Sequence, residues 1–93
     1  MAAITIGEAL REIMKSNNWK SRMDAIRLKS EWETIMGKTI AKYTKEVHLQ
    51  NGILTIFSDV APLKQELYVG RQQIIQNIND YFNENLIKEV RIK

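Results

Sequence analysis

Cysteine is absent from this 93-residue chain. That excludes a disulfide framework, a thiolate zinc site and a cysteine nucleophile, and it fits a reducing cytosol, so a cytoplasmic location is expected. Histidine occurs once, as His48. It stands on the polar side of an alternating segment with no second histidine near it, and reads as an exposed strand residue rather than a metal ligand or general base. The four glycines, Gly7, Gly37, Gly52 and Gly70, are isolated, so no glycine-rich phosphate loop can be assembled. No apolar run approaches the length of a membrane span, and no basic stretch at the start leads into a hydrophobic one. Neither a membrane contact nor a signal peptide is therefore expected. Glu66 and Asp80 are acids on a helix whose polar face needs such residues anyway. With no nucleophile–base arrangement to assemble, the chain reads as a binding module, with no enzymatic activity, cofactor, metal or small-molecule substrate expected.

What the chain does have is an uneven charge. Residues 1–45 hold nine Lys/Arg and five Asp/Glu, whereas residues 46–93 hold five and six. The excess lies in Lys15, Lys20, Arg22, Arg27, Lys29, Lys38, Lys42 and Lys45, the candidate nucleic-acid contacts, because a basic side of this kind attracts a polyanion. Solvated helix faces on a mildly basic protein account for the same distribution about equally well.

The pattern along the chain predicts one domain over residues 1–93. Thr5 and Glu8 form a capping box, which satisfies two orphan amides at a helix start. Ile6, Leu10, Ile13 and Met14 follow at helical spacing, and Asn17-Asn18 ends the segment. Ser21 and Asp24 form a second box opening a longer helix, with apolar positions Ile26, Leu28, Trp32, Ile35 and Met36. Gly37 ends or kinks it, and Ile40 and Tyr43 continue the period in a short helical piece. Period two then takes over: Val47 and Leu49 alternate with Glu46, His48 and Gln50. Asn51-Gly52 is a strong hairpin signal, because a type I′ turn needs positive φ at both positions. The returning strand, Ile53 to Phe57, is apolar on both faces, which predicts a central, covered position. Asp59 and Pro62 start a last helix of about 20 residues. Its buried stripe is Leu63, Leu67, Ile74, Ile78 and Tyr81 or Phe82, interrupted by Gly70 as a kink or close contact. Val90 and Ile92 alternate with Glu89, Arg91 and Lys93 in a final edge strand. The class is α+β in the order α-α-β-β-α-β, a three-stranded sheet with helices packed on one face.

Trp32 could stack on a base, but its place in the apolar period favours the core. Trp19 lies outside any stripe, close to Lys20 and Arg22, and is the better candidate for an exposed contact. Tyr43 and Tyr68 are open between core and contact. On the polar side of the last helix stand Lys64, Gln65, Tyr68, Arg71, Gln72 and Asn79. Tyr68 and Arg71 are helical neighbours of the two residue types enriched at interface hot spots, so they are candidate partner contacts, against an ordinary solvated face.

The stretch Trp32…Gly37…Ile40-Ala41…Thr44, then Gly52-Ile53-Leu54-Thr55-Ile56, then Leu63…Glu66-Leu67, then Val90-Arg91-Ile92, resembles the DciA family of bacterial replication proteins. The likeness runs from about Leu28 to Ile92. It implies a fold like a K-homology (KH) domain and a part in getting the replicative helicase DnaB onto DNA at initiation, with direct binding to both. The G-x-x-G loop by which KH domains clamp a nucleic-acid backbone is missing, since Gly70-Arg71-Gln72-Gln73 keeps only its first glycine. DNA binding is then expected from the basic helices, weak and tolerant of sequence. The other reading is an RNA- or ribosome-associated KH-like binding module.

Overall fold

A computed structural model describes residues 6–8, 11 and 19–93. Ile6, Gly7, Glu8 and Arg11 are helical and exposed. Thr5 of the first capping box, Leu10, Ile13, Met14, Lys15 and the Asn17-Asn18 stop lie outside the described residues. The elements that follow are α1 (Trp19–Met36), α2 (Lys38–Tyr43), β1 (Glu46–Gln50), β2 (Ile53–Phe57), α3 (Ala61–Val69), α4 (Arg71–Phe82) and β3 (Glu89–Ile92). The sheet is mixed, with β2 in the centre: β1 pairs with it antiparallel and β3 parallel. This is the α+β order that the sequence predicts.

The hairpin forms where the Asn-Gly signal puts it. Asn51 and Gly52 have φ of +53° and +78°, and Gln50 pairs with Ile53. Gly52 has a second task. Its carbonyl accepts the amides of Lys88 and Glu89 at 2.8 and 3.3 Å, so the turn also seats the start of β3. A Cβ at Gly52 would lie 3.1 Å from Cγ of Lys88.

The core lies on one face of the sheet. Val47, Leu54, Ile56 and Val90 are buried there against Leu28 and Trp32 of α1, Leu67 of α3, and Ile74 and Ile78 of α4. Leu54 and Ile56 are fully buried, while Ile53, Thr55 and Phe57 on the other face of β2 are half-buried.

Several local expectations need correction. Ser21 and Asp24 do not cap a helix, because α1 already runs from Trp19. Asp24 is instead buried within it and accepts Lys20 and Arg27 at 3.0 and 3.2 Å. Ile26 is exposed: two residues from both Asp24 and Leu28, it projects from the opposite side of the helix. Tyr43 is also exposed, at the end of α2. Asp59 does not start α3. The buried Ser58 organises that turn, its hydroxyl donating to the Tyr43 carbonyl at 2.7 Å and accepting the Val60 amide at 3.2 Å. Pro62 does sit in the first turn of α3. The long last helix is broken at Gly70, whose φ of −91° and ψ of 17° lie between α3 and α4. Of the two candidates at its end, Phe82 packs against the core and Tyr81 is exposed.

Leu86 and Ile87, which no sequence period marks, are both buried in the loop before β3. Asn79 holds Ile87. Its Nδ2 donates to the Ile87 carbonyl at 2.9 Å and its Oδ1 accepts the Ile87 amide at 2.8 Å. Asn79 is therefore not part of an open polar face.

Candidate nucleic-acid and partner surfaces

The basic residues of α1 fall on two flanks, because positions three, four and seven apart share a side of a helix. Lys20 and Arg27 lie on one. Both turn toward the end of α4, where Lys20 meets Glu84 at 3.3 Å and Arg27 meets it at 3.0 Å. With Asp24 they make a four-membered cluster, and the Arg27 guanidinium also lies 4.8 Å above the Phe82 ring. The two carboxylates offset the two cations. Hydrogen bonds to Arg27, then to Lys20, hold the Glu84 carboxyl below the usual carboxylate value. Hydrogen bonds to Asp24, then to Glu84, hold the Lys20 ammonium above its usual value. Next to the cluster the Tyr81 hydroxyl donates to Glu31 at 2.6 Å, which raises the phenol's pKa. Lys20 and Arg27 are thus structural ties between α1 and α4.

Arg22 and Lys29 occupy another flank of α1, two turns apart. Both are exposed, as is Lys38 at the start of α2, and none of the three has an ion-pair partner among the described residues. Arg22 borders a groove of about 360 Å³ between α1 and β1, with Ser21, Ala25, His48, Leu49 and Asn51. Lys42 lies 5.5 Å over the Tyr43 ring. Lys45 reaches Asp59 at 3.4 Å, both side chains being exposed. Seven of the eight candidate cations are therefore divided between a neutralised cluster, an unpaired flank and the α2–β1 corner, and the eighth, Lys15, lies outside the described residues. Trp19 is exposed at the head of α1. His48 is exposed on β1, with Nε2 3.0 Å from Glu46 and its ring edge-on to Phe57 at 5.4 Å.

Tyr68 and Arg71 meet across the Gly70 break. The Arg71 guanidinium stacks 3.8 Å from the centre of the Tyr68 ring, and its Nε donates to the Tyr68 carbonyl at 2.8 Å. The pair borders a groove of about 430 Å³ whose other wall is β3. That groove has no local signal in the sequence, since it depends on which edge of the sheet β3 takes.

The residues that carry the family resemblance lie inside this framework. The Trp32 indole donates to the Thr44 hydroxyl at 3.1 Å, Gly37 takes φ of +91° between α1 and α2, and Gly52 makes the hairpin and seats β3. Residues 5–92 match the family described as Dna[CI] antecedent, DciA. The chain belongs to the DciA family. Among curated relatives of this DciA-family domain, the UPF0232 protein of Corynebacterium glutamicum is 27% identical over 90 residues, covering 97% of this chain and 51% of the relative. The UPF0232 protein of Mycobacterium tuberculosis is 21% identical over 87 residues, covering 94% and 46%. That of Rhodococcus jostii is 22% identical over 86 residues, covering 92% and 46%. The chain spans about half the length of the curated relatives it matches. No solved structure matches it. No helix among the described residues is long and apolar enough to cross a membrane.

Proposed function

We propose that this DciA-family domain is a non-enzymatic accessory of DNA replication in the cytoplasm, which binds DNA weakly and helps to load the replicative helicase DnaB. The observation that carries the reading is the family match over residues 5–92. The unpaired flank at Arg22 and Lys29, with Lys38 beyond it, supports the DNA-binding part. Exposed cations not already committed to carboxylates are those that can displace counterions from phosphate. The stacked Tyr68–Arg71 pair supports a protein contact, because a planar aromatic and a guanidinium held together lose little side-chain freedom on binding.

Capture of the organism's purified replicative helicase on the immobilised domain tests the reading, alongside titration of labelled single-stranded and duplex DNA at several salt concentrations. Expected are helicase retention and a DNA affinity around micromolar or weaker, roughly equal between sequences and falling steeply with salt. No helicase retention at concentrations on the order of micromolar would overturn the helicase role, and salt-independent DNA binding would overturn the electrostatic one.

A further inference from the structure

Among the described residues, the outer edge of β3 has no strand beside it. Within those residues β3 pairs only with β2, and its hydrogen bonds show which way each residue faces. The Glu89 amide donates to Gly52, the Lys93 amide donates to Ile56, and the Lys93 carbonyl accepts from Ser58. In a parallel ladder alternate residues bond to the same neighbour. Glu89, Arg91 and Lys93 therefore face β2, while the amides and carbonyls of Val90 and Ile92 point outward, with no strand beside them among the described residues.

The groove beside Tyr68 and Arg71 runs along this edge. Residues 89–93 all line it. Successive strand residues point to opposite faces of a sheet, so a groove bordered by five in a row lies against the edge and not against either face. It continues past Tyr68 and Ile92 into a second groove of about 240 Å³ that reaches Lys64 and Gln65. Arg71, Arg91 and Lys93 border the first groove against one carboxylate, Glu89, which is already bonded to Arg91. The channel is thus long, basic, walled by an aromatic–guanidinium stack, and lined with two outward donor–acceptor residues at the spacing of a strand.

We propose that the β3 edge binds an extended acidic segment of a protein partner as a fourth strand. Pairing to Val90 and Ile92 would supply the backbone contacts, and Arg71 and Lys64 on the helix side would meet the carboxylates. This rests on the reading that the domain engages a protein partner, and it gives Tyr68 and Arg71 the role of the groove's outer wall.

The test uses two labelled ten-residue peptides, one alternating valine and glutamate and one alternating valine and lysine, with the full chain. The acidic peptide is expected to bind at least ten times more tightly. At saturation, amide hydrogen exchange at Val90 and Ile92 is expected to slow at least tenfold. Ile92→Pro removes an outward donor without touching the ladder to β2, a place where an edge strand tolerates proline, and is expected to lower affinity at least tenfold. If that variant does not fold, Arg71→Glu and exchange on the unaltered chain carry the test. Equal affinity for the two peptides, or unchanged exchange at Val90 and Ile92, would overturn the proposal. So would a dimer in sedimentation that Ile92→Pro dissolves, since a second copy would then be the occupant, or protection of the two amides by single-stranded DNA instead. Helicase retained by Ile92→Pro as strongly as by the unaltered chain, with no peptide protection, overturns this inference alone. Peptide protection without helicase retention overturns the helicase role alone.

Discussion

The Trp32 indole nitrogen and the Thr44 hydroxyl, twelve residues apart, lie 3.1 Å from each other, and the same hydroxyl donates to the Ile40 carbonyl at 2.6 Å. The link ties α1 to the exit of α2 and lets a tryptophan be buried without leaving its N–H unpaired. Trp32→Ala is expected to cost about 3–5 kcal/mol, much of the stability of a domain this size. Thr44→Val, which keeps the volume and strands the indole, is expected to cost about 1–3 kcal/mol. Urea unfolding gives both. A folded Trp32→Ala variant of full stability that lacked only DNA binding would make Trp32 a stacking residue.

On the DNA side, charge reversal at the unpaired cations should separate from reversal at the paired ones. Arg22→Glu, Lys29→Glu and Lys38→Glu together are expected to abolish DNA binding while leaving the urea midpoint nearly unchanged. Arg27→Glu places a third carboxylate beside Asp24 and Glu84, and is expected to reduce stability more than any of the three. Anisotropy titrations and urea melts on the same samples decide it, and undiminished DNA binding by the triple variant would move the site elsewhere.

The Glu84 cluster predicts a dependence on acid. A carboxyl whose folded pKa lies below its ordinary value of 4.5 adds stability above that value, and loses it as pH falls through the lower folded value. Lys20 acts in the opposite range: raised above 10.5, it adds stability below that value and loses it as pH rises through the folded one. Glu84→Gln should therefore be less stable than the unaltered chain at neutral pH, and the two should converge in acid. Added salt should narrow the neutral gap, since the groups are partly exposed. Coincident urea midpoints for the two chains at every pH would show that the cluster contributes nothing.

Asn79→Ala should loosen the loop before β3. It removes both side-chain bonds to Ile87 and leaves a buried amide and carbonyl unpaired, at an expected cost of about 2–4 kcal/mol. Faster hydrogen exchange at Ile87 than at Leu54 would locate the damage in the loop.

For the partner surface, Tyr68→Ala with Arg71→Ala is expected to weaken helicase capture by at least about 1 kcal/mol. Folding and DNA binding should stay nearly intact. Helicase binding at full strength in that double variant would rule the surface out.

What the sequence made legible was local. Asn51-Gly52 specifies its turn by the φ values it permits, Gly37 takes a conformation that other residues avoid, and Trp32 shares a helical period with Leu28. What escaped depended on distant parts of the chain. Nothing near Arg27 points to Glu84, 57 residues later, so a neutralised cation reads as a free one. Asp24 has the residue type of a cap, and only its burial and two cationic neighbours show otherwise. Leu86 and Ile87 lie in a segment too short for any period, and Asn79, which fixes Ile87, resembles any other polar helix residue. Gly70 was visible as an anomaly in a helical stripe, but the direction in which the chain turns there was not.

The parallel pairing of β3 with β2 has a consequence for synthesis on the ribosome. The β1–β2 hairpin can close as soon as its own residues emerge, yet the far side of its inner strand stays open while everything from Ser58 to Lys88 is translated. Only when residues 89–93 clear the exit tunnel can Leu54 and Ile56 gain their last neighbours. Until then the nascent chain carries an unfinished apolar strand that a trigger chaperone, or another nascent chain, could take first.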